Sequence, residues 1–262
     1  MRALITELHR RQNLLAWAGW VALGCLLGSL AAMAVDPRQI YGGSVWIKPA
    51  KFAASFIPWF WTLAWAWGVL APAARRGGLA GLVLWGTLAA AGFEQGWITF
   101  RAAAGLPSHF AADPFGQIMF SLMGLGATVL VALAALLGLL VLVRGDAAQP
   151  RGWRLALGLG LVVAGVLGGV TGFAIGGAGG PIIGGPVIGG SFTPGLPPFY
   201  WSRDGGDLRV AHFLAIHAMQ VVPGFWLLTR ASAWPVGVVT AAWAGLSLAA
   251  LRLAQAGVPL SP

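Results

Sequence analysis

The chain has 262 residues, of which 58% are hydrophobic and only 9% are charged, and its formal net charge at pH 7 is +9. A soluble domain devotes about a quarter of its residues to charge, so this composition excludes an ordinary water-soluble protein. The basic residues stand in short loops between apolar runs, which excludes a nucleic-acid-binding protein. A single cysteine, Cys25, excludes an intrachain disulfide and a cysteine-based metal site.

Seven apolar segments are each long enough to cross about 30 Å of hydrocarbon. They cover residues 14–35, 52–72, 79–99, 115–143, 155–175, 208–230 and 233–254. The first is longer than the apolar region of a secretory signal peptide, so we expect it to remain as a membrane helix. The sequence therefore predicts an all-α integral membrane protein, with residues 1–262 forming one polytopic domain of about seven transmembrane helices.

Arginines mark one end of these helices. Three lie in the N-terminal arm, others occupy the short connections 73–78 and 144–154, and Arg230 adjoins the connection at 231–232. The opposite loops, 36–51, 100–114 and 176–207, are longer and contain aspartates. Positively charged loops remain in the cytoplasm. We therefore expect a multi-pass protein of the bacterial inner membrane, with a cytoplasmic N-terminus and a periplasmic C-terminus.

Small residues recur at spacings that let membrane helices pack closely. They are Gly24 with Gly28, Gly92 with Gly96, and in the fifth span Gly165, Gly168, Gly169, Gly172 and Gly176. We therefore expect the fifth helix to be tightly packed. Residues 176–207 follow it and are rich in glycine and proline yet largely apolar, which predicts an outer lid or re-entrant loop rather than a disordered linker.

Polar residues share helix faces near the outer ends of two spans. The residues at three-and-four spacing are Lys48, Lys51, Ser55, Trp59 and Thr62 in the second span and Asp113, Gln117, Ser121, Gly124 and Thr128 in the fourth. We expect both stripes to point into the helix bundle.

Glu94 lies about one to two turns inside the outer end of the third span. A carboxylate at that depth requires a partner, and Lys48, Lys51 and Arg101 are the candidates. Two interpretations follow. One is a buried ion pair that ties helices together, and the other is a catalytic role for Glu94, with Asp113 as a second catalytic carboxylate.

Three histidines lie on the outer side. His212 and His217 belong to the sixth span, where a spacing of five residues places them about 140° apart, so an unbroken helix does not direct both at one metal ion. Gln220 falls between them in angle, and His109 precedes the fourth span. A single histidine in such a place usually forms an interhelical hydrogen bond, but three of them beside two carboxylates indicate a cofactor or metal site.

The first functional hypothesis is a cofactor-binding redox subunit of the membrane, linked to haem or quinone. It makes His109, His212 or His217 a ligand of haem b. The residues expected to contact the cofactor around the histidines are Lys48, Lys51, Arg101, Arg209 and Gln220.

Two alternatives remain open at this stage. One is a zinc-dependent hydrolase acting on a lipid at the outer leaflet, in which His109, His212 and His217 bind the metal and Glu94 or Asp113 acts on the metal-bound water. The other is a transporter or an accessory subunit of a larger membrane complex. All three readings have the lipid bilayer as a partner and none involves nucleic acid, and the sequence does not decide whether the protein is an enzyme.

Overall fold

The computed structural model describes residues 2–40, 42–109, 113–178, 187–190, 195 and 199–259. Of these described residues, 78% are helical. The helices are α1 (Arg2–Arg11), α2 (Asn13–Val35), α3 (Ile47–Trp67), α4 (Pro72–Arg75), α5 (Gly78–Ala103), α6 (Pro114–Arg144), α7 (Arg151–Gly177), α8 (Leu208–Thr229) and α9 (Ala233–Gln255). The strands are β1 (Gln39–Ile40), β2 (Gly43–Ser44), β3 (Val187–Ile188) and β4 (Gly206–Asp207), and they pair as two antiparallel hairpins, β1 with β2 and β3 with β4.

Five helices of the described chain are long and apolar enough to cross a membrane, namely α2, α6, α7, α8 and α9. Their composition suits a lipid bilayer and confirms an all-α, multi-pass membrane protein. The other two predicted spans correspond to α3 and α5, which have 21 and 26 residues. Tryptophans and lysines in α3, and the polar end of α5, lower the mean hydropathy of these two helices.

The second predicted span, 52–72, is displaced along the chain. Its helix, α3, begins at Ile47 and ends at Trp67. Pro49 lies in the first turn of α3, where a backbone N–H has no intrahelical acceptor, so the lack of this group in proline breaks no helical hydrogen bond. The helix therefore includes Pro49 and starts before the apolar run. Lys48 and Lys51 thereby become helical residues.

The chain forms two compact units. Unit 1 comprises residues 1–68 and 77–130, and unit 2 comprises residues 69–76 and 131–262, so that α6 is divided between them after Leu130. In unit 1, α2 packs against α3, α1 contacts both, and α3 packs against α5. Trp61 of α3 lies directly over Gly19 of α2 and donates from Nε1 to the Ala16 carbonyl, 3.3 Å away.

In unit 2, α7 contacts α8, α9 and the second half of α6. A Cβ atom at Gly165 would lie 2.5 Å from the Val131 carbonyl oxygen, and one at Gly160 would lie 2.8 Å from the Ala218 carbonyl oxygen. Small residues therefore let the backbones of neighbouring helices approach, which confirms the tight packing predicted for the fifth span.

The other predicted glycine pairs do not have this role in the described chain. A Cβ atom at Gly24, Gly28, Gly92 or Gly96 would meet no atom within 4 Å. The prediction of close helix packing at these two pairs is therefore wrong for the described residues. The same spacing occurs on helix faces with and without a neighbour, and only the fold distinguishes them.

Within the predicted lid or re-entrant loop, residues 176–207, the segments 179–186, 191–194 and 196–198 lie outside the described residues. Of the remainder, β3 pairs with β4 through Val187 with Asp207 and Ile188 with Gly206. Gly206 lies directly against the backbone of Ala254 in α9. The described end of this segment is therefore held against α9.

Candidate functional site

The predicted site residues divide between the two units. Those of unit 1 are Lys48, Lys51, Glu94, Arg101, His109 and Asp113, and those of unit 2 are Arg209, His212, His217 and Gln220. Each unit therefore has its own polar cluster.

Glu94 is buried in unit 1, with only 2% of its surface exposed. Its Oε1 atom has no hydrogen-bond partner among the described residues. The carboxylate faces α6, where a Cβ atom at Gly126 would lie 2.7 Å from Oε1. A buried polar atom without a partner costs free energy, so a proton, a water molecule or a ligand is expected at this oxygen.

Lys48 is the basic residue whose charge acts on Glu94. It lies in the first turn of α3 and is half-buried. Within the described chain the two side chains form no close ion pair. Of the candidate partners from the sequence, Lys48 is therefore the one whose charge is seen to act on Glu94.

His109 lies in the loop between α5 and α6 and adds aromatic surface to the same cluster. Its ring centroid is 5.4 Å from that of Phe120 and 6.4 Å from that of Phe52. Ser108 Oγ is 3.2 Å from His109 Nδ1. Burial holds the pKa of His109 well below its ordinary value of 6.5, and the charge of Lys48 lowers that pKa further. The imidazole is therefore neutral at pH 7 and has one donor and one acceptor nitrogen.

Three phenylalanines on one face of α3 extend this aromatic surface along the helix. Phe52, Phe56 and Phe60 follow Lys48 at a spacing of four residues. The ring centroids of the first and second phenylalanine are 6.2 Å apart, and those of the second and third are 5.7 Å apart. These phenylalanines were not among the predicted site residues, although their four-residue spacing is visible in the sequence.

Arg101 and Asp113 hold the α5–α6 loop. Arg101 is 7% exposed, donates from Nε to the Pro107 carbonyl at 2.9 Å, and lies over the Trp97 ring at 5.4 Å. Asp113 is exposed and accepts a hydrogen bond from the backbone N–H of Gly116 at 2.7 Å. Arg101 Nη2 and Asp113 Oδ2 are 3.9 Å apart. Their contacts place both residues in the support of the loop.

The polar stripe of α6 does not point inward in the described chain. Four of its five members are exposed, namely Asp113, Gln117, Ser121 and Gly124. The prediction that this stripe faces the bundle is therefore wrong. Gly126 of the neighbouring face approaches α5 instead, because the absence of a side chain allows the Glu94 carboxylate to lie against it.

His212 joins α8 to α7 in unit 2. Its Nδ1 atom is 3.0 Å from Thr171 Oγ1, and a Cβ atom at Gly172 would lie 3.6 Å from Cε1 of the ring. The α7 backbone therefore covers one side of the imidazole. Unit 2 contains only one further histidine, His217, on the same helix. A haem with histidine ligands on two facing helices does not fit the residues of this unit.

His217 is engaged by its own helix. Its ring centroid is 4.2 Å from that of Phe213, and Nδ1 is 3.1 Å from Gln220 Oε1. The ring contacts continue from Phe213 to Phe199 and Trp201, which stack with centroids 4.7 Å apart. Gln220 thus contacts one of the two histidines that it lies between.

Arg209 belongs to a helix cap formed by Asp207, a residue that was not among the predicted site residues. Asp207 is 3% exposed and accepts hydrogen bonds from the backbone N–H groups of Ser202 and Arg209 at 2.8 and 3.0 Å. The Arg209 guanidinium bonds to the Asp207 carboxylate and donates to the Tyr200 carbonyl at 2.9 Å. An aspartate directly before an apolar helix is a known N-cap signal, so this role was readable from the sequence.

The described residues contain no group of three or more His, Cys, Asp or Glu side chains placed to hold a metal ion. His109, His212 and His217 are all described, and none of them belongs to such a group.

No protein family model, no curated protein and no solved structure matches this chain. The functional assignment therefore depends on the geometry of the described residues.

Proposed function

We propose that this protein is a quinone-binding, redox-linked subunit of a bacterial inner membrane, with its ligand between Lys48 and Glu94. The observation that carries the proposal is the buried Glu94 Oε1 atom without a partner in the described chain, beside the charge of Lys48. A quinol hydroxyl donates a hydrogen bond to a carboxylate, and a quinone carbonyl accepts one from an ammonium group. Glu94 therefore offers a hydrogen-bond acceptor to the quinol, and Lys48 offers a donor to the quinone.

The aromatic residues beside this pair suit a planar ring. Phe52 and Phe56 follow Lys48 on one face of α3, and the neutral imidazole of His109 contacts Phe52. Ligand sites combine mainly apolar and aromatic walls with a few placed polar groups. A quinone headgroup has the same division between ring faces and carbonyl edges, and its isoprenoid tail remains in the bilayer.

We further propose that α3 and α5 cross the membrane together with the five apolar helices, which gives seven spans. The arginines of the N-terminal arm and of the connections 73–78 and 144–154 then lie in the cytoplasm, and the C-terminus lies in the periplasm. This topology places Lys48, Glu94 and His109 on the periplasmic side. A quinone reaches such a site from the outer leaflet.

The test measures quinone in the full-length protein purified in detergent. Chromatography of its lipid extract reports retained quinone, and titration with a short-chain ubiquinone analogue gives an affinity. We expect E94Q to weaken binding about tenfold or more, because loss of a charged hydrogen-bond acceptor costs about 1.5–3 kcal/mol. The matched control is E7Q, which changes the only other glutamate, a residue of α1 paired with Arg10 and Arg11.

The proposal fails if the wild-type protein neither retains quinone nor binds the analogue. Equal affinities for wild type and E94Q would exclude Glu94 from the site. Proton uptake that depends on Glu94 in a protein without quinone affinity would favour the transporter alternative, because a membrane-embedded carboxylate also serves proton-coupled transport.

A further inference from the structure

Four buried polar atoms on α3 and α5 have no hydrogen-bond partner in the described chain. They are Trp59 Nε1 on α3 and Thr87 Oγ1, Glu94 Oε1 and Gln95 Oε1 on α5. The four residues are 8%, 0%, 2% and 9% exposed in that order. The remaining atom of this kind among the described residues is Arg154 Nε, in unit 2. The unpaired groups of unit 1 therefore all lie on two helices that pack together.

Thr87 differs from other buried hydroxyl residues in the helices. Ser29, Thr171 and Thr240 each donate to the carbonyl four residues earlier, at 2.7 Å. A helical threonine always has such an acceptor within reach. Thr87 is fully buried, yet its hydroxyl does not make this bond. The Thr87 hydroxyl is therefore buried without a hydrogen-bond partner among the described residues.

The four atoms form two levels along the two helices. Gln95 Nε2 donates to the Pro49 carbonyl at 3.3 Å, which sets the register between α5 and α3. Trp59 lies ten residues after Pro49 along α3, which is about 15 Å by the helical rise. Thr87 lies eight residues before Gln95 along α5, which is about 12 Å. Thr87 and Glu94 are seven residues apart and share a face of α5.

We propose that a file of internal water molecules runs beside α5, along the face that carries Thr87 and Glu94, and carries protons between Glu94 and the level of Thr87 and Trp59. An indole N–H only donates, an amide oxygen only accepts, and a hydroxyl does both, so bridging water satisfies all of these groups at once. Buried water typically makes about three such bonds to groups that otherwise have none.

In this file the Glu94 carboxyl proton passes to the adjacent water, which leaves the carboxylate, and a proton arriving through the file restores the acid. The inference rests on the proposed function in that it makes Glu94 the end of the file that faces the ligand. The water file itself depends only on the buried polar atoms of α3 and α5 that have no hydrogen-bond partner among the described residues.

The first test follows hydrogen–deuterium exchange of the Glu94 carboxyl by infrared spectroscopy in the reconstituted full-length protein. The carboxyl band absent from E94Q identifies the group, and the exchange is measured at the pH where that band is largest. T87V keeps the side-chain shape without the hydroxyl. We expect the Glu94 carboxyl to exchange about tenfold more slowly in T87V, because the loss of one hydrogen bond raises the exchange barrier by the free energy that corresponds to this rate change. T240V should exchange like wild type, since Thr240 is equally buried but bonded to the Val236 carbonyl.

The second test detects the water directly. Radiolysis in isotopically labelled water oxidises side chains that touch bound water. We expect Trp59 to be labelled faster than Trp67, although both lie on α3 and are 8% and 6% exposed. An unlabelled Trp59 would overturn the water file.

Quinone affinity measured on the same proteins keeps the two proposals separate. Slow exchange in T87V with unchanged quinone affinity supports both. Slow exchange in T87V in a protein that binds no quinone supports the water file and contradicts the proposed function. Equal exchange in wild type and T87V overturns the file whether or not quinone binds, and so does the lack of a Glu94 carboxyl band at every pH at which the protein remains folded.

Discussion

Gly126 of α6 and Glu94 of α5 approach so closely that a methyl group at position 126 would lie 2.7 Å from Glu94 Oε1. Because Oε1 is the far end of a flexible side chain, G126A is expected to move the carboxylate rather than the helices. The affinity for the quinone analogue should fall about tenfold, a change that corresponds to about 1.4 kcal/mol. The free energy of unfolding should change by less than about 1 kcal/mol, since alanine also favours the helix.

The matched control for this change is G124A, two residues earlier in α6. Gly124 is exposed, and a Cβ atom there would meet nothing within 4 Å. Quinone affinity should therefore match wild type. Equal losses of affinity in G124A and G126A would show that the effect comes from α6 in general and not from the Glu94 carboxylate.

Gly165 of α7 allows the backbone of α6 to approach. A Cβ atom at this position would lie 2.5 Å from both the Val131 carbonyl oxygen and the Ala135 Cβ atom. Backbone atoms do not move aside without displacing a helix, so G165A should destabilise the protein by about 1–3 kcal/mol. Unfolding by SDS in mixed micelles measures this change.

G28A in α2 is the control for G165A, because a Cβ atom at Gly28 would meet nothing within 4 Å. It should leave stability unchanged or raise it by up to about 1 kcal/mol through helix propensity. A G165A protein as stable as G28A would contradict the close packing of α6 and α7.

His109 should make stability depend on pH. Burial first, and the charge of Lys48 second, hold its folded-state pKa below the ordinary 6.5. Unfolding restores the ordinary value, so below that value the unfolded chain binds more protons than the folded protein. The stability contributed by the neutral ring is complete above 6.5 and is lost as pH falls through 6.5 toward the folded-state pKa.

Unfolding measured between about pH 7 and about pH 5 tests this dependence. Wild type should lose stability more steeply with falling pH than H109Q, which has no group to titrate at this position. H9Q, changed in α1, should keep the steep wild-type slope. Parallel pH profiles for wild type and H109Q would rule out a depressed His109 pKa.

Asp207 caps α8 and pairs with Arg209, and its side chain is 1% exposed. D207A should cost about 1–3 kcal/mol of unfolding free energy, because it removes the cap and leaves the Ser202 N–H and the Arg209 guanidinium without their acceptor. D207N keeps an oxygen for the cap and removes the charge, so it should lose less. Thermal unfolding of the three proteins in detergent compares them, and a D207A protein as stable as wild type would contradict the cap.

The positions of the helices were predictable because membrane helices depend on local sequence. In hydrocarbon each backbone group must bond within its own helix, so an uninterrupted apolar run of sufficient length defines one. For this reason α2, α8 and α9 begin and end within about one turn of the predicted segments. The burial of Glu94 was likewise foreseeable, and an ionisable group in an apolar run is a candidate site residue because it is expensive to bury.

Only the tertiary structure decided which residues meet. Sequence spacing left three basic candidates for Glu94. In the fold the charge of Lys48 acts on Glu94, while Arg101 donates to the Pro107 carbonyl. The spacing of small residues also predicted close helix packing at both Gly24 and Gly165. Of these two, only Gly165 has a neighbouring helix against it in the described chain. Periodicity defines the faces of one helix, whereas the partner of each face depends on contacts between segments far apart in the chain. In the part of the chain that the structure describes, those contacts leave Glu94 Oε1 buried without a hydrogen-bond partner.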